Sequence, residues 1–282
     1  MYQPAKITGI VRATFSKIQD TLQRIQHFPT VIPPRNLRRS RKSIGEYIHG
    51  GQFQMGLAQA HGGLTSETML LDIGCGDGRF PSALAKFFTT GSYTTIEVNK
   101  GYVDYLGGTL GKKNVAFRFV HADLWHSYYN PQGKHKTNEY VFPFPDASFD
   151  LVYLNSIFTH FLPTEIDHYL REIHRILKPG GTVYATYFLV NDESLSLDAK
   201  GMGEKDLTIG RPKVMNHKIE NYWVRDNDVL EHVVGIDEVW LKDAYRKHGL
   251  KWDKAVYGTW CGRTLIPGKM HQQDIVIGKK GA

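Results

Sequence analysis

The sequence of 282 residues predicts an α/β fold, a doubly wound and mostly parallel sheet of seven strands preceded by an N-terminal helical arm. Three observations lead to this prediction. A short apolar strand over residues 69–73 runs into a glycine-rich turn and then into a helical segment. Short strands alternate with helices along residues 93–190. Two final strands, over 250–257 and 273–277, favour a closing antiparallel hairpin.

The turn after the first strand has glycine at alternate positions: Gly74, Gly76 and Gly78. Glycine lets the backbone approach a ligand closely, and it adopts positive φ at little cost. A dinucleotide fingerprint needs G-x-G-x-x-G, but Arg79 stands where its third glycine would be. Asp72 and Asp77 flank the turn and would repel a pyrophosphate. The turn therefore suits a cofactor with a cationic or hydrogen-bond-donating amino acid end.

The next elements continue the doubly wound pattern. Residues 79–88 have helical spacing, and residues 93–98 predict a second strand that carries Glu97, 23 residues after Gly74. An acid about 20 residues beyond such a turn is placed to accept hydrogen bonds from ribose hydroxyls. Residues 117–124 predict a third strand. We therefore expect Glu97 in a nucleoside site at the carboxyl ends of these strands.

The most specific pattern lies further along the chain. FPFPDASFDLVYLNSIFTHF predicts a fourth strand over 151–156 and its exit loop. YLREIHRILKPGGTVYATYF predicts an amphipathic helix over 162–177, closed by residues 178–181, and a fifth strand over 182–190. With the glycine turn, these motifs resemble the Rossmann-like class I S-adenosylmethionine-dependent methyltransferases of the small-molecule type. The resemblance covers residues 69–190 well and the rest only in outline.

The resemblance implies an enzyme that binds S-adenosylmethionine and releases S-adenosylhomocysteine. It places the methionine end of this cofactor over the glycine turn, the ribose on Glu97 and the adenine near Asp123. In relatives the segment before the first strand folds over the cofactor, which makes Tyr47 and Phe53 candidates for closing the site. The predicted cofactor-binding residues are Asp72, Gly74, Cys75, Gly76, Gly78, Arg79, Glu97, Val98, Asp123, Leu124 and Asn155.

The acceptor side is implied by the same resemblance. Two segments without regular patterning, about 125–141 and 191–235, are expected as acceptor-site insertions. His160 follows the exit loop of the fourth strand, where the acceptor enters in relatives. It is the candidate general base for a hydroxyl acceptor, although a structural role at the start of the helix is an equal alternative. The candidate acceptor-binding residues are Tyr128, Tyr129, Tyr187, Asn191 and Trp223.

The class of acceptor follows from the exit of the fourth strand. Asn155 stands where relatives with amine acceptors often have Asp or Asn. Residues 156–158 depart from the Pro-Pro-aromatic continuation typical of nucleic-acid and protein-amide N-methylation. The resemblance therefore implies transfer to oxygen or nitrogen of a small molecule or sugar, with no nucleic acid as partner. Asn155 also replaces the acid that a metal-dependent mechanism would need, so no metal is expected.

The charge of the chain is concentrated at its beginning. The net charge is +7, yet residues 1–42 hold nine Lys or Arg against one acid, and the rest holds 26 basic and 27 acidic side chains. Residues 6–27 have the spacing of a basic amphipathic helix. It suits an anionic membrane surface, self-association or packing on its own domain. We thus divide the chain into an arm and solvated linker, 1–42, and a methyltransferase domain, 43–282.

Two cysteines, Cys75 and Cys261, form no disulfide framework, which fits a reduced cytoplasmic setting. Two other function classes stay open. A non-catalytic methyltransferase-like scaffold could use the arm to bind a partner or membrane, although the intact turn, Glu97 and Asp123 argue against a lost cofactor site. A nicotinamide-dependent oxidoreductase would share the fold but lacks the third dinucleotide glycine.

Overall fold

The computed structural model describes residues 31–38, 43–127, 129–200, 216–225, 227–263 and 272–282. The predicted arm helix over residues 6–27 and the candidate Tyr128 lie outside these residues. The strands are β1 (Met69–Ile73), β2 (Ser92–Glu97), β3 (Phe117–His121), β4 (Phe149–Leu154), β5 (Leu177–Val190), β6 (His217–Ile219), β7 (Tyr222–Val224), β8 (Val234–Asp237), β9 (Leu250–Val256) and β10 (Asp274–Lys280). The α-helices are α1 (Ile44–Gly62), α2 (Arg79–Ala83), α3 (Lys100–Leu106), α4 (Pro163–Ile176), α5 (Asp192–Ala199) and α6 (Glu238–Lys247).

The sheet has the predicted doubly wound order. Strands β3, β2, β1, β4 and β5 are neighbours in this order and pair in parallel. Strand β10 runs antiparallel to β5 and to β9, which gives the expected closing hairpin. These seven strands confirm the α/β fold class.

Three short strands extend the sheet beyond seven. Two of them lie within the segment 191–235, for which no regular structure was expected, and the third, β8, begins at its end. Strands β6 and β7 form a hairpin, and β8 joins it to the end of β5, where Phe188 pairs with Gly235. Strands of three or four residues are too short to show a period in the sequence.

Both faces of the sheet are covered by helices, because successive side chains of a strand point to opposite faces. In β4, Val152 and Leu154 pack in the cluster that contains α4 and α6. Leu151 and Tyr153 pack in a second cluster, with Ala58 of α1. The carboxyl ends of the parallel strands are left open for a site.

Helix α1 precedes the first strand and runs from Ile44 to Gly62. Ser43 caps it, since the Ser43 side chain accepts from the Glu46 N–H and the Glu46 carboxylate accepts from the Ser43 N–H at 2.8 Å. The S-x-x-E pattern of this capping box was present in the sequence, but the glycines that follow obscured it. Helix α2 ends at Ala83 and is shorter than the predicted 79–88.

Part of the expected linker belongs to the folded domain. Ile32 is buried against Ile44 and Tyr47, and the Tyr105 hydroxyl donates to the Ile32 carbonyl at 3.1 Å. Arg38, expected in a solvated linker, is 5% exposed and donates to the Pro33 carbonyl. The prediction of a solvated face was wrong for Arg38.

Candidate functional site

The glycine turn is held in a conformation that requires glycine. Its three glycines have φ of 83°, 55° and 86°, the region in which side chains are strained: Gly74, Gly76 and Gly78. A Cβ on Gly78 would also lie 2.4 Å from Leu106 Cδ2. The turn therefore brings bare backbone to the open end of the sheet.

Helix α1 supports this turn from behind. The Tyr47 hydroxyl is buried, 3.2 Å from the Asp77 carbonyl oxygen and 3.1 Å from Ser82 Oγ. The helix can approach this closely because residue 51 is a glycine. A Cβ on Gly51 would lie only 2.3 Å from the Arg79 carbonyl oxygen. Tyr47, a candidate for closing the site, instead braces the turn.

Glu97 joins the second strand to the glycine turn. Its carboxylate accepts from the Gly76 N–H at 2.8 Å and from the Asn99 N–H at 2.7 Å. Asn99 also caps α3, since its Oδ1 accepts from the Tyr102 N–H at 3.2 Å. These contacts fix the carboxylate at the wall of a cavity, in the position expected for the ribose contact.

Asp72 does not reach that cavity. Its carboxylate is buried and accepts a hydrogen bond of 2.6 Å from the Tyr93 hydroxyl. Burial, and to a smaller extent the nearby Glu97 carboxylate, raise the pKa of Asp72 to about 7, although the Tyr93 hydrogen bond opposes the rise. Asp72 therefore supports the turn from within the core. Cys75 is buried as well, and burial raises the pKa of its thiol.

A cavity of about 190 Å³ opens at the carboxyl ends of β1, β2 and β4. The structure brings together in its wall eight of the predicted residues: Gly74, Gly76, Glu97, Val98, Leu124, Tyr129, Asn155 and His160. The wall also contains residues that the sequence did not single out as cavity residues: Ile73, Ile96, Asn99, Tyr102, His126, Thr137, Ser156, Ile157, Phe161 and Tyr169. Of these, only Asn99 had a readable signal, because it stands where an N-cap is expected. We call this space the first cavity.

His160 is held by hydrogen bonds at both ring nitrogens. Nδ1 lies 3.1 Å from the Glu231 carbonyl oxygen, which can only accept, so Nδ1 carries a proton. In the neutral ring Nε2 is then an acceptor, 3.1 Å from the Tyr129 hydroxyl. His126 packs beside this pair, and burial lowers its pKa. The geometry allows His160 Nε2 to take a proton that arrives through Tyr129.

Four other predicted residues lie away from the cavity wall. The Asp123 carboxylate contacts residues of its own loop: Oδ1 lies 3.3 Å from Asn130 Nδ2, and Oδ2 lies 3.6 Å from Lys134 Nζ. The other three, predicted as acceptor contacts, are held by neighbouring elements. Tyr187 is fully buried with its hydroxyl 3.1 Å from that of Tyr245, Asn191 caps α5 and donates to Glu238, and Trp223 packs in a buried cluster with Trp260.

A second cavity of about 460 Å³ lies on the α1 side of the fourth strand's exit. The two cavities share Asn155 and Ser156. Arg79, a predicted cofactor residue, faces this second cavity. Phe53, a candidate for closing the cofactor site, lines it as well.

The shared boundary is strained and firmly held. Ser156 has a φ of 60°, which is rare for a residue with a side chain. Its N–H donates to Thr186 Oγ1 at 2.7 Å, and its hydroxyl donates to Gln273 Oε1 at 2.9 Å. Backbone strain of this kind persists where the surroundings over-determine it and is concentrated at functional sites.

No group of three His, Cys, Asp or Glu side chains suited to a metal ion occurs among the residues that the structure describes. The expectation of a metal-free site stays a prediction. Within the same ranges, none of the helices combines the length and hydrophobicity needed to span a bilayer.

Comparison with known proteins gives matches over the same part of the chain. The family described as "Methyltransferase domain" matches residues 71–185. The fatty-acid O-methyltransferase of Mycolicibacterium smegmatis is 28% identical over 186 residues, 64% of this chain and 59% of that protein. The 27-O-demethylrifamycin SV methyltransferase of Amycolatopsis mediterranei is 27% identical over 192 residues, 64% of this chain and 63% of that protein. The match thus spans less than two thirds of either relative.

Among solved structures, the [4+2]-cyclase SpnF is similar with a TM-score of 0.51 and 16% identity, over 82% of this chain and 81% of that one. This likeness shows the fold alone. Since that protein is named for a cyclisation, the fold does not by itself identify the reaction.

Proposed function

We propose that this chain is a class I S-adenosylmethionine-dependent methyltransferase and that it transfers a methyl group from S-adenosylmethionine to oxygen or nitrogen of a small-molecule or sugar acceptor; the match to the methyltransferase-domain family over residues 71–185 supports this. The observation that carries the proposal is the first cavity. There the glycine turn and a fixed carboxylate, Glu97, stand side by side at the carboxyl ends of the strands. Ligands of doubly wound sheets bind at this edge.

The residues of the first cavity fit the methyl donor. Gly74 and Gly76 leave room for its methionine end, and a Cβ on Gly76 would point into open space. Glu97 would accept from the ribose hydroxyls, and Val98 and Leu124 would pack on the adenine. When bound, the donor supplies an electrophilic methyl group on a sulfonium.

The residues of the chain would then act by position and by proton transfer. Asn155 and Ser156, at the boundary of the two cavities, would hold donor and acceptor in line at a near-attack distance. For a hydroxyl acceptor, His160 Nε2 would take the proton through Tyr129, while the Glu231 carbonyl keeps the ring in the required tautomer. A neutral amine would need no such base.

The relatives support a small-molecule acceptor. One is named for O-methylation of a fatty acid and another for methylation of 27-O-demethylrifamycin SV. Cytoplasmic localisation, the absence of a nucleic-acid partner, and membrane or self-association through residues 6–27 stay predictions. Deletion of residues 1–30 should leave donor affinity unchanged and alter only association or membrane recruitment.

The experiment that tests this proposal is a transfer assay with S-adenosylmethionine labelled at the methyl group. The acceptor panel would contain alcohols, phenols, carboxylic acids, amines and sugars. We expect label in at least one class of acceptor, and loss of transfer when S-adenosylhomocysteine is added. A protein that binds the donor but transfers to none of the panel would favour the non-catalytic scaffold. Binding of a nicotinamide dinucleotide in place of the donor would favour the oxidoreductase.

A further inference from the structure

A positively charged side chain, that of Arg79, lines the second cavity, and no described residue forms an ion pair with it. Arg79 is half-buried, and among the residues lining this cavity in the described structure it carries the only charge. Its guanidinium makes no hydrogen bond or ion pair with any residue in the described ranges. A guanidinium in a partly enclosed space favours an anionic partner, and its planar fork matches a carboxylate with two parallel hydrogen bonds.

An independent observation points to the same space. Tyr184 lines the second cavity and is fully buried, yet its hydroxyl has no hydrogen-bond partner within the described part of the chain. Buried polar groups in folded proteins nearly always have a partner. Because Tyr184 lines the cavity, its unpartnered hydroxyl is a candidate donor to a ligand bound there.

The other lining residues and the volume of the cavity indicate what kind of molecule carries the anionic group. Phe53, Leu57 and Ile275 give it apolar surface, and the amide and hydroxyl side chains in its wall can form hydrogen bonds: Gln54, Asn155, Ser156, Thr186, Thr259, Gln272 and Gln273. Its volume is about 460 Å³, against about 190 Å³ for the first cavity. The cavity is suited to a molecule that has an apolar part, hydrogen-bonding groups and one anionic group.

We infer that the second cavity is the acceptor site and that it binds an acceptor carrying a carboxylate, which Arg79 pairs with and to which Tyr184 donates. This inference rests on the proposed function: the acceptor would meet the donor at Asn155 and Ser156, where the cavities join, with its accepting atom directed into the first cavity, which His160 and Tyr129 line. It differs from the sequence expectation, which placed the acceptor under the two insertions.

The test measures binding of octanoate and octan-1-ol by calorimetry, with and without saturating S-adenosylhomocysteine. The proteins are the wild type, Arg79→Gln and a matched control, Arg246→Gln, which removes an exposed charge on α6. We expect Arg79→Gln to weaken octanoate binding by about tenfold or more and to leave octan-1-ol binding unchanged. The control should behave as wild type. No octanoate binding by wild type, or an equal loss for both ligands, would overturn the inference.

The amino acid end of the donor also carries a carboxylate. A second pair of titrations therefore tests whether Arg79 pairs with the carboxylate of the acceptor or with that of the donor. S-adenosylhomocysteine carries the amino acid end, and 5′-methylthioadenosine lacks it. If Arg79→Gln weakens only the former, the carboxylate at Arg79 is the donor's and the inference fails. If Arg79→Gln does not fold, the inference is tested with Tyr184→Phe instead. We expect this variant to bind octanoate about threefold to tenfold more weakly than wild type. Failure of wild type to bind S-adenosylhomocysteine would instead contradict the proposed function.

Discussion

The Glu97 carboxylate accepts a 2.8 Å hydrogen bond from the main-chain N–H of Gly76. The acid of the second strand and the glycine turn of the first therefore form one unit before any ligand binds. A preorganised carboxylate of this kind needs little rearrangement to receive a pair of hydroxyls.

Replacement of Glu97 by Ala should weaken binding of S-adenosylhomocysteine by about 1–3 kcal/mol, because charged hydrogen bonds are left unmade. Calorimetry measures the affinity, and circular dichroism checks the fold. Glu139→Ala is the matched control, since Glu139 is exposed and pairs only with Lys136 among described residues. Unchanged affinity in a folded Glu97→Ala protein would remove Glu97 from the donor site.

Replacement of Gly78 by Ala should destabilise the protein by about 2–4 kcal/mol. The alanine would have to adopt a φ of 86°, and its Cβ would meet Leu106. Gly45→Ala is the control, because nothing lies within 4 Å of a Cβ there and alanine favours a helix. Denaturant titrations should separate the two variants, and equal stabilities would contradict the description of the turn.

Asp72 makes stability depend on pH. Its pKa is about 7 in the folded protein and about 3.9 in an unfolded chain, so the folded state binds more protons between these values. The contribution of Asp72 to the free energy of unfolding must therefore fall as pH rises from 4 to 7. Asp72→Asn should remove this contribution, so its unfolding free energy relative to wild type should grow by about 1–4 kcal/mol over that range. Parallel stability curves for the two proteins would show that Asp72 does not titrate there.

For a hydroxyl acceptor, His160→Gln should lower turnover by about 100-fold and leave donor affinity unchanged. Tyr129→Phe should act in the same direction, because it removes the hydroxyl that contacts His160 Nε2 in the wall of the first cavity. Rates measured across the pH range should lose, in both variants, the decline at low pH that protonation of a general base causes. His49→Gln, on the exposed surface of α1, is the control. Near-normal turnover of both variants would mean that positioning alone drives the reaction or that the base lies elsewhere.

The glycine turn and the strands beside it were predictable because their signals are local. Alternating glycines, an acid at a fixed spacing and the amphipathic α4 each lie within a short stretch of sequence. The ends of helices were harder to predict, because the capping box at Ser43 is followed by glycines, which lower helix propensity.

The second cavity could not be predicted because its parts come from distant segments. Alternation along β5 sends Tyr184 and Tyr187 to opposite faces, and the sequence does not say which face adjoins a cavity. Tyr187 was chosen as the acceptor contact, but it is in the core with Phe158, while Tyr184 lines the second cavity. Likewise Arg79 follows the glycine turn in sequence, yet its side chain extends toward Gly50 of α1.

The most direct test of the central claim is a calorimetric titration of wild-type protein with S-adenosylhomocysteine, repeated with NADH. A first cavity built around the glycine turn and Glu97 predicts saturable binding of S-adenosylhomocysteine at one site per chain and no binding of NADH. Binding of NADH with no binding of S-adenosylhomocysteine would contradict the account of the turn, of Glu97 and of the reaction together.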